Sequence, residues 1–165
     1  MRKTIIVFIV MVLAFLPVYN VMAISEGQSN LIKNKCDSIQ EDLKQLQVDD
    51  SRVRVYLGAL YERVLTKYIV PLNVRLVENS ISDVDFIENQ NNFVAAKIAF
   101  VDDFVNYQRS LEELTLIDCK KNTESFYQKL TVVREKRAIM AKDVAKLSGL
   151  MTKQKSLVLS LRENL

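Results

Sequence analysis

Apolar residues recur along this chain in alternating steps of four and three residues. Three such stripes run from Ile32 to Lys67, from Phe86 to Leu114 and from Phe126 to Leu165. An apolar repeat of about 3.5 residues kept over this length is typical of helices that pack side by side with slight supercoiling. Further apolar residues flank each stripe, which widens the buried face as expected for a helix with two neighbours. The pattern therefore predicts an all-α fold.

Polar segments at residues 78–83 and 118–123 separate the stripes. Ser82 resembles the first residue of a capping box for the second helix, and Asn122 or Thr123 would cap the third. Three helices of similar length with short connections predict an elongated up-down-up three-helix bundle with coiled-coil-like packing. A long helix that dimerises is the alternative, but the capped breaks favour a monomer. The predicted helices cover about residues 29–78, 83–117 and 123–163.

Pro71 lies inside the first predicted helix. Proline has no backbone N–H and its ring clashes with the preceding turn, so we expect a kink or an end of the helix nearby. The apolar stripe shifts at this point to Leu65, Tyr68, Leu72 and Leu76, and the sequence predicts that these four residues face the core.

Residues 1–23 have the pattern of a secretory signal peptide. Arg2 and Lys3 precede an apolar run over residues 5–18, and small or aliphatic residues precede a predicted cleavage site after Ala23. The alternative is an uncleaved anchor over residues 5–24, because 20 residues are just enough to span a bilayer. In either case the sequence predicts an exported protein, secreted, periplasmic or at the cell surface, with a single helical domain over residues 24–165.

Charge argues against binding to nucleic acid. The chain carries 23 basic and 20 acidic residues, and loss of the first 23 residues would leave 21 basic against 20 acidic. The two signs are interleaved, and no basic stripe with interspersed aromatic residues is present. We therefore expect no nucleic-acid partner, and membrane contact only through residues 5–24 if they are retained.

Composition removes most catalytic chemistries. The chain has no histidine, only two cysteines and only three glycines. Histidine-based catalysis is excluded, two cysteines cannot complete a structural zinc site, and the glycines lie too far apart for a phosphate-binding loop. The sequence predicts no catalytic residue, no metal ligand and no cofactor, and hence a protein that is not an enzyme.

The two cysteines are predicted to meet. Cys36 lies near the start of the first predicted helix and Cys119 follows the second, so an up-down-up bundle places both at the same end. In an exported protein with two cysteines this favours a disulfide. The alternative is two reduced thiols, one of them buried as a small apolar residue.

Polar residues interrupt the apolar stripes at a few positions. Asp50 lies 14 residues above Cys36 and Arg137 lies 16 above Lys121, so both fall roughly 21–24 Å from the cysteine end. We predict that Asp50 and Arg137 form a core ion pair that sets the helix register; a binding or catalytic pair is the alternative. Lys67, Gln90 and Gln154 either share a second polar layer nearer the other end or turn outward.

Aromatic and acidic residues fit a simple bundle. An aromatic stripe on the second predicted helix is typical of a core rather than a ligand groove; it comprises Phe86, Phe93, Phe100, Phe104 and Tyr107. Adjacent acidic residues such as Asp102 and Asp103 point about 100° apart on a helix, so the sequence predicts a solvated face and not a carboxylate site.

The apolar N-terminal run is followed by Cys36, Asp83-Val84, Phe100, Phe104, Tyr107, Asp118-Cys119-Lys120, Phe126, Leu130 and Arg134. In these residues the chain resembles uncharacterised exported three-helix proteins of ultrasmall, host-associated candidate-phylum bacteria. It implies a three-helix fold, export and a pair of cysteines. It supplies no functional residue.

These features predict a non-enzymatic structural or protein-interaction module at the cell envelope or outside the cell, with an unknown protein partner. The alternative is an envelope chaperone or stress protein that binds apolar clients. Such a protein needs an exposed apolar patch, and the apolar residues off the main stripes are the candidates for it: Val48, Val55, Val132 and Leu159.

Overall fold

The computed structural model describes residues 24–81 and 84–163, and every regular element in these two ranges is helical. The elements are α1 (Glu26–Val64), a π-helical turn (Leu65–Ile69), α2 (Val70–Glu78), α3 (Val84–Thr115) and α4 (Thr123–Glu163). The first three form one continuous rod, so three rods pack together and the all-α prediction is confirmed. The predicted signal peptide and the predicted cap at Ser82 lie outside the described residues.

A capping box fixes the beginning of α1. The hydroxyl of Ser25 accepts a hydrogen bond from the Gln28 amide over 3.3 Å, and Gln28 Oε1 accepts one from the Ser25 amide over 3.2 Å. Two of the otherwise unpaired N–H groups at the helix start are satisfied in this way. The helix therefore begins at Glu26, three residues before the start that the apolar stripe predicted.

Pro71 does not end the first rod. The chain widens into the π-helical turn just before it, where the Val70 N–H donates to the Leu65 carbonyl, and α2 then continues to Glu78. Such a turn inserts one residue into the helix and rotates everything that follows it. Ile69 is fully buried as a result, whereas the Tyr68 side chain is 64% exposed. The prediction that Tyr68 faces the core was wrong.

The connection from α3 to α4 is a short hydrogen-bonded turn. The side chain of Asp118 accepts hydrogen bonds from the amides of Lys120 and Lys121, over 3.0 and 3.1 Å. The Asn122 carbonyl then accepts from the Phe126 amide, which begins α4 at Thr123, the predicted residue. α3 ends at Thr115, two residues before the predicted end.

Helix α3 supplies more buried apolar residues than any other helix in the described ranges. Its aromatic stripe is buried, with every ring at most 1% exposed: Phe86, Phe93, Phe100, Phe104 and Tyr107. α3 packs along most of α4 and also against α1, while α1 and α4 share a smaller contact. Among residues 24–81 and 84–163, none of the helices combines the length and the apolar content of a membrane-spanning segment. The unequal contacts leave an open groove between α1 and α4.

Candidate functional site

The cysteine pair joins α1 to the turn between α3 and α4. Cys36 and Cys119 form a disulfide with their Cα atoms 5.7 Å apart, and both are buried. Gln40 Nε2 donates to the Ile117 carbonyl over 2.8 Å, and Lys120 contacts Asp37 beside it. The sequence placed both cysteines at this end of the bundle, and the structure brings them together.

Farther along the bundle from the disulfide, Asp50 of α1 contacts Arg137 of α4. Arg137 donates to Asp50 Oδ1 over 3.2 Å, and the Tyr107 hydroxyl donates to Asp50 Oδ2 over 2.5 Å. Desolvation by burial, reinforced by the neighbouring carboxylate, raises the pKa of the Tyr107 hydroxyl well above its usual value of 10. Tyr107 therefore stays protonated and acts as a permanent donor.

This triad joins all three rods, and its polar groups are poorly placed to react with a substrate. The Asp50 side chain is 11% exposed, whereas half of the Arg137 side chain faces water. The carboxylate already accepts from two side chains, and Tyr107 is fully buried. The arrangement suits a static contact that fixes helix register, since a general base needs access to a substrate proton. The sequence missed Tyr107 here because its place in the aromatic stripe explained it as core.

A second polar layer lies near the other end of the bundle. Asn73 donates to Gln90 Oε1 over 2.8 Å and to the Phe86 carbonyl, while Asn89 donates to Gln154 Oε1 over 2.7 Å. Gln90 and Gln154 were expected in such a layer, whereas Lys67 turns outward. Asn73 and Asn89 were missed; Asn73 faces inward because of the π-helical turn, which sequence periodicity does not reveal.

Several amide atoms in this layer have no partner among the described residues. They are Asn73 Oδ1, Asn89 Oδ1 and Gln154 Nε2, all buried. A cavity of about 150 Å³ borders Asn73 and is otherwise walled mainly by apolar side chains. A single amide among apolar residues supplies no acid, base or nucleophile, so the layer is a structural feature with an energetic cost.

Two carboxylates face each other across the contact between α3 and α4. Elsewhere this contact pairs complementary groups, such as Lys129 with Glu113 and Lys136 with Ser110. Burial and then the neighbouring Asp103 raise the pKa of Asp143 above its ordinary value of 3.8, although Lys146 opposes this. Asp143 Oδ2 is buried and has no donor within the described residues. The expectation that Asp103 belongs to a solvated face overlooked this neighbour.

The groove between α1 and α4 is an apolar depression near the disulfide. It has a volume of about 490 Å³ and is lined mainly by aliphatic and aromatic side chains: Leu31, Ile39, Leu43, Leu46, Tyr127 and Leu130. Its polar lining includes Asp42 on α1 and Arg134 on α4. Within the described ranges, no three carboxylate or thiol groups lie close enough together to hold a metal ion. The groove is therefore a surface suited to apolar contact.

Comparison of the chain with protein-family models, with curated proteins and with solved structures gives no significant match.

Proposed function

We propose that this protein is an exported, non-enzymatic helical bundle that acts as a structural or protein-interaction module at the cell envelope or outside the cell. The observation that carries the proposal is the buried disulfide between Cys36 and Cys119. Disulfides of this kind persist in oxidising compartments and are rare in the cytosol. The apolar run over residues 5–18 supplies the matching export signal.

The polar core supports a role without catalysis. Asp50, Tyr107 and Arg137 are occupied with one another, and the amides of the second layer pair across helices. Groups used in this way hold the rods in register rather than reaching toward a substrate. A long rod with an apolar groove and surface charges of both signs suits contact with another protein.

The chaperone alternative has weaker support. Val48 and Val55 border one shallow depression on α1, but Val132 and Leu159 lie on α4, 27 residues and roughly 40 Å apart. These residues do not form one continuous apolar patch, which a chaperone would use to hold unfolded clients.

Export and oxidation can be tested together. The full chain is expressed in a bacterial host with an oxidising periplasm, fractionated, alkylated without reductant and analysed by mass spectrometry and N-terminal sequencing. We expect a periplasmic product that begins at Ile24 and has no free thiol. The matched control, Leu13→Arg, interrupts the apolar run and should leave a cytoplasmic chain with two alkylated cysteines. Native chain that accumulates in the cytoplasm with reduced thiols would overturn the proposal.

A further inference from the structure

The α1–α4 groove has two walls of different length. Its lining extends along α1 from Gln28 to Leu46, about 27 Å, and along α4 from Tyr127 to Arg134, about 10 Å or two helical turns. Ile32 and Leu43 are buried in its floor, while Leu31 stands 63% exposed at its edge. α1 and α4 contact each other less than either contacts α3, so the apolar side chains between them stay open to a further helix.

Opposite charges stand on the two walls of this groove. Asp42 on α1 and Arg134 on α4 are both exposed, and neither has a hydrogen-bond or ion-pair partner among residues 24–81 and 84–163. Asp37 pairs with Lys120 and Lys129 with Glu113, and the other charged residues of α1 and α4 do not line the groove. The groove therefore presents one unpaired anion and one unpaired cation on opposite sides of an apolar floor.

The axial spacing of these charges can be read from the Asp50–Arg137 contact, because α1 and α4 run in the same direction. Asp42 precedes Asp50 by eight residues and Arg134 precedes Arg137 by three. At about 1.5 Å per residue, the two charges are offset along the bundle by roughly 7.5 Å. On an incoming helix this offset corresponds to five residues, the spacing between positions that flank an apolar heptad stripe on opposite sides.

We propose that the α1–α4 groove docks one amphipathic helix of a partner protein. The partner helix would place an apolar stripe on the floor, a basic side chain beside Asp42 and an acidic side chain beside Arg134. Helix-in-groove docking is an established mode of recognition in which apolar anchors give affinity and flanking charges give orientation. This inference rests on the proposed function as an interaction module and assigns its binding surface.

The test uses three fluorescein-labelled synthetic peptides of 21 residues with the same heptad stripe of leucine and isoleucine. One carries lysine on one flank and glutamate on the other, the second carries lysine on both flanks and the third carries glutamate on both. Fluorescence anisotropy measures their binding to the oxidised chain at concentrations where sedimentation shows each peptide to be monomeric. We expect the mixed-charge peptide to bind tightest.

Charge reversal on each wall should change the preference in opposite directions. In Asp42→Lys both walls are positive, so the glutamate peptide should become the tightest binder. In Arg134→Glu both walls are negative, so the lysine peptide should become the tightest binder. Each reversal should weaken binding of the mixed-charge peptide about fivefold, near the upper limit for one exposed ion pair.

The floor is tested with Leu46→Glu, which places a charge among the apolar side chains and should weaken all three peptides at least tenfold. The control is Val132→Glu, because Val132 lies on α4 and does not line the groove. Circular dichroism and thermal unfolding identify any variant that fails to fold. If Leu46→Glu does not fold, the two wall variants still test the inference, because Asp42 and Arg134 are exposed and their substitution should not disturb the fold.

Several outcomes would overturn the inference. If the wall and floor variants bind the peptides as tightly as the native chain does, the peptides bind elsewhere on the protein. A dimer that dissociates in Leu46→Glu would assign the groove to a second copy of the chain, and peptide binding only after removal of residues 1–23 would assign it to that segment. Loss of export with intact peptide binding would contradict the proposed function alone.

Discussion

The hydroxyl of Tyr107 donates a hydrogen bond to Asp50 Oδ2 over 2.5 Å and thereby ties α3 to α1. Arg137 reaches the other oxygen of the same carboxylate from α4. One buried anion thus fixes the relative position of all three rods. A slip of any rod by one turn, about 5.4 Å, would separate at least one of these pairs.

Removing one member of this triad should lower the free energy of unfolding more than removing two members together. Asp50→Leu leaves the buried Tyr107 hydroxyl without an acceptor, and we expect the free energy of unfolding to fall by about 1–3 kcal/mol. The double variant Asp50→Leu with Tyr107→Phe removes both polar groups and should recover part of that loss. Urea unfolding of the four members of the cycle measures the coupling. Strictly additive effects would show that the contact is energetically negligible.

The disulfide should contribute strongly to stability, because it closes a loop with a sequence separation of 83 residues. The loop-entropy model gives roughly 4 kcal/mol for a bridge of this span. We expect the double variant Cys36→Ala with Cys119→Ala to lose stability of this order in urea unfolding. The native chain under reductant is the control and should behave similarly. A loss below about 1 kcal/mol in both samples would contradict the model for this chain.

The facing carboxylates predict an unusual dependence on pH. The pKa of Asp143 is raised in the folded state, so its contribution to stability is present at low pH and is lost as the pH rises through the folded pKa. Asp143→Asn should therefore raise the melting temperature at pH 7, and the difference from the native chain should vanish as the pH falls towards 3.8. Thermal unfolding between pH 3 and pH 8 measures this.

A matched control for the pH experiment is Asp102→Asn. Asp102 is the exposed neighbour of Asp103 and points away from the contact with α4. This variant should leave the pH profile of the native chain nearly unchanged. Equal effects of the two variants would mean that overall charge, and not the Asp103–Asp143 contact, controls the pH response.

The buried amides of the second polar layer should lower the free energy of unfolding, and replacing them with apolar side chains should restore it. Asn89 is fully buried and pairs with Gln154, yet each amide has an atom without a partner in the described part of the chain. The double variant Asn89→Leu with Gln154→Met should be as stable as the native chain or more so, whereas Asn89→Leu alone should lose about 1–3 kcal/mol. Chemical unfolding measures both.

Such a layer would fix the register of the helices, and the uniqueness of helix packing can be measured separately from stability. If the amides specify one packing arrangement, the stabilised double variant should show broader amide resonances in NMR spectra than the native chain. Equally sharp spectra would indicate that the disulfide and the Asp50 triad already determine the register without this layer.

Much of the fold could be predicted because helix periodicity and capping are local properties. The steps of four and three residues predicted the three rods, and the break at Asn122 and Thr123 predicted the beginning of α4. Counting residues from the cysteine end placed Asp50 and Arg137 at one level, where the structure has them 3.2 Å apart. Axial position depends only on rise per residue, so it can be read from sequence.

The rotation of each helix about its own axis could not be predicted in the same way. The π-helical turn before Pro71 exchanges Tyr68 for Ile69 in the core and turns Asn73 inward. One inserted residue shifts the inward face by about 100°, and its presence depends on how the helix packs around the proline. The apolar repeat in the sequence therefore does not show whether the helix contains this inserted residue.

The sequence by itself therefore determined the helical class, the segment boundaries to within about three residues and the level of each polar position along the bundle. The tertiary structure decided which neighbours those positions meet: Tyr107 beside Asp50, Asp143 beside Asp103, and an open groove between α1 and α4. The reason is that side chains on a helix follow a periodic pattern in one dimension, whereas contacts depend on the relative rotation and separation of several helices at once.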